Sequence, residues 1–221
     1  MDTATLIDNV IDGYDHVSST DSDNTAREAK ILLYAQEVVD EVWYFREWDF
    51  RYRSGTVTFA AGDYESDLPA NFHEFGSQGL VIVQSTGAKL VADTSANIFE
   101  QSYTDTTTFP TYSVWGQNST TGRKLLQISS SAAMTLDVFY LATSPTLSNC
   151  AGDDGQLQFI PTAYHQTVIL PGVVYKVKHQ QEGEDQRDWY NRYQQGLNRM
   201  VAMERAGKTR VQRLPLAVDM W

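Results

Sequence analysis

The nine residues VWYFREWDF, Val42–Phe50, separate a helical pattern from a strand pattern. From Thr25 to about Phe45, apolar residues recur at helical spacing and predict one long amphipathic helix. After Trp48 the apolar residues alternate with polar ones instead, which is typical of β-strands. Because Trp and Phe bury large areas, we expect this aromatic helix exit to pack the helix against the sheet that follows.

The alternating residues begin a β-rich segment that extends to about residue 145. Breaks at Ser54-Gly55 and Ala61-Gly62 predict a hairpin that ends at Leu68-Pro69, because proline cannot donate to a strand ladder. Further elements are predicted in this segment: strands over Gly79–Gln84, Thr111–Trp115, Lys124–Ser129 and Met134–Leu141, and a short helix over Ser95–Tyr103. The strands follow one another too closely for helical crossovers, so a mostly antiparallel arrangement is expected.

Helical patterns flank the β-rich segment on both sides. A short acidic helix is predicted over residues 5–17, and two more over Thr162–Lys178 and Asp185–Arg205, the former kinked or interrupted at Pro171. The predicted fold class is therefore α+β. Its helical bundle comprises residues 1–47 and 146–206, with a β-rich insertion at 48–145. Gly207 is expected to stop the last helix, so that residues 207–221 form an extended C-terminal tail.

Composition narrows the classes of function. The 221 residues carry a net charge of -11, and a surface this acidic lacks the clustered cations that duplex DNA requires. In residues 207–221, three cations against Asp219 give +2, which leaves -13 for the remainder. A single cysteine, Cys150, permits no internal disulfide framework. Neither a signal peptide nor a membrane span is indicated, so we expect no membrane association.

The sequence contains no recognisable motif for catalysis or metal binding. The four histidines form no HExxH or Cys/His ligand spacing, and there is no Walker, GxGxxG or GxSxG motif. The two acids of the GDDG sequence, residues 152–155, are typical of a solvated turn. We therefore predict no enzyme, no cofactor, no metal site and no catalytic residue. Two alternatives stay open: a carbohydrate- or receptor-binding β module with helical anchors, and a hydrolase with two convergent carboxylates.

Several motifs follow one another in a definite order. They are the aromatic pairs within Trp43–Phe50, the Tyr64/Leu68-Pro69/Phe72 pattern, the FPTYSVWG strand (109–116), LDVFYLATSPTLS (136–148) and IPTAYHQTVI (160–169). In this order they resemble the head-to-tail adaptor proteins of tailed bacteriophages, of the short-tailed type. They are also similar in plan to the tail tubular or gatekeeper proteins of those phages. The resemblance covers about residues 25–205.

The resemblance implies a structural protein of the virion that is located at the head–tail junction and assembled in the host cytoplasm. Its expected partners are the portal protein, neighbouring copies of itself and the next tail component, a nozzle or tail tube. Such adaptors form a ring under the portal, with twelve copies common in the family. The ring lengthens the DNA channel and provides the attachment platform for the tail. DNA is expected to pass through it without specific binding.

Two sets of site residues follow from these interpretations. The helix-to-β junction is assigned to the residues Trp43, Phe45, Trp48, Phe50, Leu68 and Pro69. Portal binding is assigned to cationic and apolar residues of the tail, namely Lys208, Arg210, Arg213, Leu214, Leu216 and Trp221.

Overall fold

The computed structural model describes residues 1–14, 25–93, 97–98, 110–148, 157–180 and 186–211. The predicted α+β class is confirmed. The chain divides into two compact units. Residues 1–50 and 144–221 form the helical unit, and residues 51–143 form the β-rich unit.

The helical unit contains four α-helices among the described residues: α1 (Thr3–Tyr14), α2 (Thr25–Tyr44), α3 (Leu170–Gln180) and α4 (Gln186–Val211). Helix α3 packs against both α2 and α4, and α1 packs against α2 and α3. The first part of the chain therefore folds onto the last part. None of the described helices combines the length and the apolar character needed to cross a membrane.

Apolar residues at helical spacing form the core of this unit. Helix α2 buries Ile31, Ala35, Val38, Val39 and Val42, which recur every three or four residues. They meet the buried face of α3, which includes Val173, Val174 and Val177. Each fully buried aliphatic side chain of this kind contributes about 1.5–3 kcal/mol, so the α2–α3 contact is a principal source of stability.

The segment before α3 differs from the single helix predicted over Thr162–Lys178. It begins with a 3₁₀ turn (Thr162–Tyr164), continues as a π-helical turn (His165–Ile169), and becomes α-helical only at Leu170. Pro171 is thus the second residue of the α-helical part, directly after the π-helical turn. Proline has no amide hydrogen to donate to a carbonyl of the preceding turn, which fits the change of helix type beside it.

One sheet of the β-rich unit is built around its last strand. Strand β1 (Tyr52–Phe59) pairs antiparallel with β8 (Met134–Ala142), whose other side pairs with both β3 (Phe72–Glu74) and β4 (Leu80–Val83). Alternate residues of β8 at 136, 138 and 140 are buried, as the two-residue period of a strand requires.

The second sheet has the strand order β2-β7-β6-β5. Its strands are β2 (Glu65–Asp67), β7 (Lys124–Ile128), β6 (Thr111–Gln117) and β5 (Val91–Ala92). Only the β5–β6 pair is parallel among the described ladders. The predicted hairpin is wrong, because β1 and β2 pair with β8 and β7 in different sheets and β1 runs unbroken through Ser54-Gly55.

Three predicted boundaries also change. Trp48 to Phe50 and Ser144 to Pro145 belong to the helical unit instead of the β-rich insertion. Helix α4 continues through Gly207 to Val211, so the tail does not begin at Gly207. Of the helix predicted over Ser95–Tyr103, the structure describes Asn97 and Ile98 as helical, and the rest lies outside the described residues.

Candidate functional site

The aromatic helix exit is a stacked cluster at the end of α2. The Trp48 ring lies parallel to the rings of Phe45 and Phe50, with centroids 6.3 Å and 5.9 Å away, and Phe50 meets Trp43 edge-on at 5.6 Å. Trp43 and Trp48 are each only 1% exposed. The Trp48 indole Nε1 donates to the Val42 carbonyl at 2.5 Å. The same carbonyl also accepts a longer hydrogen bond from the Phe45 amide at 3.4 Å, so the indole supplies the shorter of two hydrogen bonds at this end of α2.

Helix α4 holds this exit through one carboxylate. Glu204 Oε1 accepts from the Asp49 amide at 2.9 Å, and its Oε2 lies 3.1 Å from Arg46 Nε. The Arg46 guanidinium also lies over the Trp48 ring, 5.1 Å from its centroid. The sequence VWYFREWDF is thus fixed against α4 within the helical unit. In contrast, Phe45 remains 56% exposed at the rim of the cluster.

Leu68 and Pro69, assigned to the same junction, lie in the β-rich unit and have partners there. Leu68 is fully buried, and its amide donates to the Lys124 carbonyl at 2.9 Å. Pro69 packs on β1 at Gly55, where a Cβ would lie 2.8 Å from the proline Cγ. The six predicted junction residues therefore divide into four in the helical unit and two in the β-rich unit. That the aromatic exit joins the two units stays a prediction.

The residues predicted to bind the portal also divide into two groups. Lys208 and Arg210 are part of α4 and belong to its last turns. The remaining four, Arg213, Leu214, Leu216 and Trp221, lie outside the described residues.

A pocket of about 290 Å³ on α4 was not anticipated from the sequence. We call it the α4 pocket; it is lined chiefly by Thr167, Pro171, Trp189, Arg192, Gly196 and Arg199. Within its lining, Gly196 allows α4 to approach the π-helical turn very closely. A Cβ at Gly196 would lie only 2.0 Å from the Thr167 carbonyl oxygen. In a regular α-helix this carbonyl would accept a hydrogen bond from the amide of residue 171, but Pro171 has no amide hydrogen to donate.

A second unanticipated feature is the ion-pair cluster of Lys176 on α3. Its ammonium group lies 2.7 Å from Glu41 and 3.0 Å from Glu37, both on α2. Burial works to lower the pKa of Lys176, but hydrogen bonds and attraction from the two carboxylates outweigh it and raise that pKa. The sequence signal was the spacing of Glu37 and Glu41, which places both carboxylates on one helix face.

The described residues offer little for catalysis. They contain no group of three His, Cys, Asp or Glu side chains able to hold a metal ion. His165 is 1% exposed, its Nε2 donates to the Ile160 carbonyl at 2.7 Å, and burial lowers its pKa. A histidine buried in this way is a neutral core residue with no route to a substrate.

The carbohydrate-binding alternative requires exposed, coplanar tryptophans. Trp43 and Trp48 are buried, and Trp189 is half-buried against Arg192. Within the described part of the chain, Trp115 is the exposed tryptophan, and its Nε1 donates to Glu65 at 2.8 Å. A single tethered indole does not form a sugar-stacking platform, so this alternative gains no support.

A comparison with models of protein families gives a match over nearly the whole chain. The model of the family described as SU10 adaptor protein matches residues 1–218. No curated protein matches the chain significantly.

Proposed function

Because the chain belongs to the SU10 adaptor protein family, it is a structural phage head-to-tail adaptor and no enzyme, and we propose that its copies form a ring beneath the portal. The observation that carries this proposal is the family match over residues 1–218, which includes both structural units. In the proposed ring, one face of each subunit meets a different face of its neighbour. The ring extends the DNA channel and provides the platform for the next tail component.

The family assignment makes the protein a component of the virion with portal and tail partners. We further propose assembly in the host cytoplasm, twelve copies per ring, and a nozzle or tail tube as the next component. A ring multiplies weak contacts, so no single contact with the portal has to be strong. We therefore expect the isolated protein to be a monomer that assembles only on the portal.

Composition of purified virions tests the adaptor role. Quantitative mass spectrometry is expected to find the chain in fixed proportion to the portal protein, and electron microscopy to place it between portal and tail. Sedimentation of the isolated protein is expected to give one subunit mass. Absence of the chain from purified virions would refute the proposal, and a stable ring of the isolated protein would refute assembly on the portal alone.

The C-terminal residues after Val211 are proposed to bind the portal. They contain apolar anchors at Leu214, Leu216 and Trp221, and tryptophan is enriched among interface hot spots. Arg213 joins Lys208 and Arg210 of α4 in a cationic sequence at the end of an acidic chain. Ordering each residue costs on the order of 1–2 kcal/mol of backbone entropy, so binding requires substantial burial of these anchors.

The test shortens the chain after Val211, where α4 ends. We expect the shortened protein to fold normally, as judged by circular dichroism and thermal unfolding, and to lose binding to the portal. Trp221→Ala should weaken binding strongly and Met220→Ala should not. Normal assembly of the shortened chain on the portal would show that these residues do not bind it.

A further inference from the structure

The α4 pocket presents positive charge that no carboxylate among the described residues compensates. Its arginines, Arg192 and Arg199, are seven residues apart on one face of α4, and both are exposed. Within the described part of the chain, neither has a carboxylate at ion-pair distance. By contrast, Arg46 pairs with Glu204, and Lys176 pairs with two glutamates. The residues that line the pocket include amides, a hydroxyl and an indole, but no acid.

The opposite charge is concentrated at the other end of the sequence. The first 26 residues contain six aspartates and no lysine or arginine, whereas the 26 residues of α4 contain six cations and two acids. Asp8 and Asp12 are exposed and lie one turn apart on α1. We call the sequence Asp8–Asp23, with its five aspartates, the acidic stretch.

Helix α1 does not carry Asp12 into the pocket of its own subunit. Met1 Sδ lies 3.5 Å from the Nε2 of Gln166, which also lines the pocket, so α1 begins beside the pocket. From there α1 packs along α2 and α3. With a rise of 1.5 Å per residue, Asp12 lies roughly 16 Å further along the helix axis. The pocket and the described part of the acidic stretch, Asp8 and Asp12, thus lie on separate parts of one subunit, as a head-to-tail contact requires.

We propose that the α4 pocket binds the acidic stretch of a neighbouring copy of this chain. The inference rests on the ring put forward under the proposed function and specifies its subunit contact. The Arg192 guanidinium lies 4.6 Å from the centroid of the Trp189 ring, and this stacking pre-orients the guanidinium for a carboxylate. Apolar Leu170 and Pro171 complete the lining and favour a peptide with side chains over a phosphate backbone.

A peptide-binding measurement tests the contact without the portal. A labelled peptide of residues 5–24 is titrated with the full-length protein and followed by fluorescence anisotropy. The double variant R192E/R199E is expected to bind it at least about tenfold more weakly, because each pair would become repulsive. The matched control R123E/R187E makes the same charge change at exposed arginines outside the pocket and is expected to bind like the wild type. No saturable binding, or equal loss in the control, would overturn the inference.

The same titration with duplex DNA separates the two kinds of occupant. DNA that binds the wild type, fails to bind R192E/R199E and displaces the peptide would identify the pocket as a nucleic-acid site and overturn the assignment to a neighbouring subunit. We expect no such binding.

Reversing the charges of the two surfaces in full-length protein tests the contact within the assembled ring. Full-length variants are co-expressed with the portal protein and ring occupancy is measured by electron microscopy. D8R/D12R and R192E/R199E are each expected to lower occupancy, and the quadruple variant is expected to restore it, because both surfaces are then reversed together. If every variant assembles like the wild type, the subunit contact is wrong while the adaptor role stands. If the wild type itself does not bind the portal, the proposed function fails, and the peptide titration alone decides the contact.

Discussion

At the scale of single residues, two glycines determine how the helical unit packs. A Cβ at Gly172 on α3 would lie 2.8 Å from Val38 on α2 and 3.1 Å from the Tyr193 ring on α4. Gly196 on α4 brings the helix against the Thr167 carbonyl. Glycine inside a helix costs about 1 kcal/mol relative to alanine, so its presence at both contacts reflects the close approach of the backbones.

Gly196→Ala is expected to destabilise the helical unit by about 1–3 kcal/mol, the usual cost of forcing additional atoms into a packed contact. The clash is with a backbone oxygen, which cannot rotate away as a side chain would. Gly13→Ala is the matched control, because a Cβ at Gly13 meets nothing within 4 Å and alanine favours a helix. Urea unfolding measures both. A neutral Gly196→Ala would show that α4 is not held as closely as described.

His165 is expected to make stability depend on pH. Burial lowers its pKa in the folded state, so the unfolded chain takes up a proton more readily. The contribution of neutral His165 is complete above the unfolded pKa of about 6.5 and is lost as pH falls through the lower folded pKa. Unfolding free energies of the wild type should therefore decline from pH 6.5 to 5 more steeply than those of His165→Gln. Parallel declines would contradict this.

At the scale of elements, the spacing of apolar residues along the chain predicted where helices and strands lie. It did not predict which strands pair or which distant residues come into contact. Helix α2 and strands β7 and β8 begin and end within a residue or two of their predicted bounds, because turn residues such as Gly, Ser and Asn or a helix-capping sequence mark their ends. The β1–β2 hairpin was wrong because alternation identifies a strand without its partner. The continuation of α4 through Gly207 was missed because one glycine costs a helix only about 1 kcal/mol. The α4 pocket could not be predicted, since its lining joins Thr167 and Gly196, which are 29 positions apart in the sequence.

Trp48→Phe tests how the end of α2 is secured. Phenylalanine retains the stacking with Phe45 and Phe50 but removes the indole donor from the Val42 carbonyl. The Val42 carbonyl then keeps only its longer bond from the Phe45 amide, so we expect a loss of about 0.5–1.5 kcal/mol, the usual net contribution of one hydrogen bond. Trp115→Phe is the control, because it removes an exposed indole donor to Glu65 and should change stability by less than about 0.5 kcal/mol. Chemical unfolding monitored by far-ultraviolet circular dichroism compares the two, and equal effects would mean that the Trp48 hydrogen bond contributes little.

At the scale of the whole molecule, charge is distributed unevenly along an acidic chain. The net charge of -11 combines the aspartate-rich first 26 residues with a last helix in which cations exceed acids by four. In the proposed DNA channel, this excess of negative charge is expected to keep the duplex from adhering to the wall.

The protein shortened after Val211 is therefore expected to show no useful affinity for duplex DNA at physiological salt. The shortening removes Arg213 and Asp219, so the net charge stays at -11, and few phosphates can be neutralised. Electrophoretic mobility shifts across a range of salt concentrations measure this. Tight binding that weakens steeply with added salt would contradict it.

The construction of the helical unit from both ends of the chain has a consequence for synthesis. Helix α2 ends at Tyr44, but α3, which covers its apolar face, is complete only at Gln180. At translation rates of about 5–20 residues per second, the face of Val38 and Val39 leaves the ribosome on the order of ten seconds before its partner is made. The β-rich unit, contiguous in sequence, is finished during that interval. We therefore expect nascent chains to pass through a stage in which the β-rich segment is complete while the apolar face of α2 is still uncovered, and we expect chaperones to bind them at this stage.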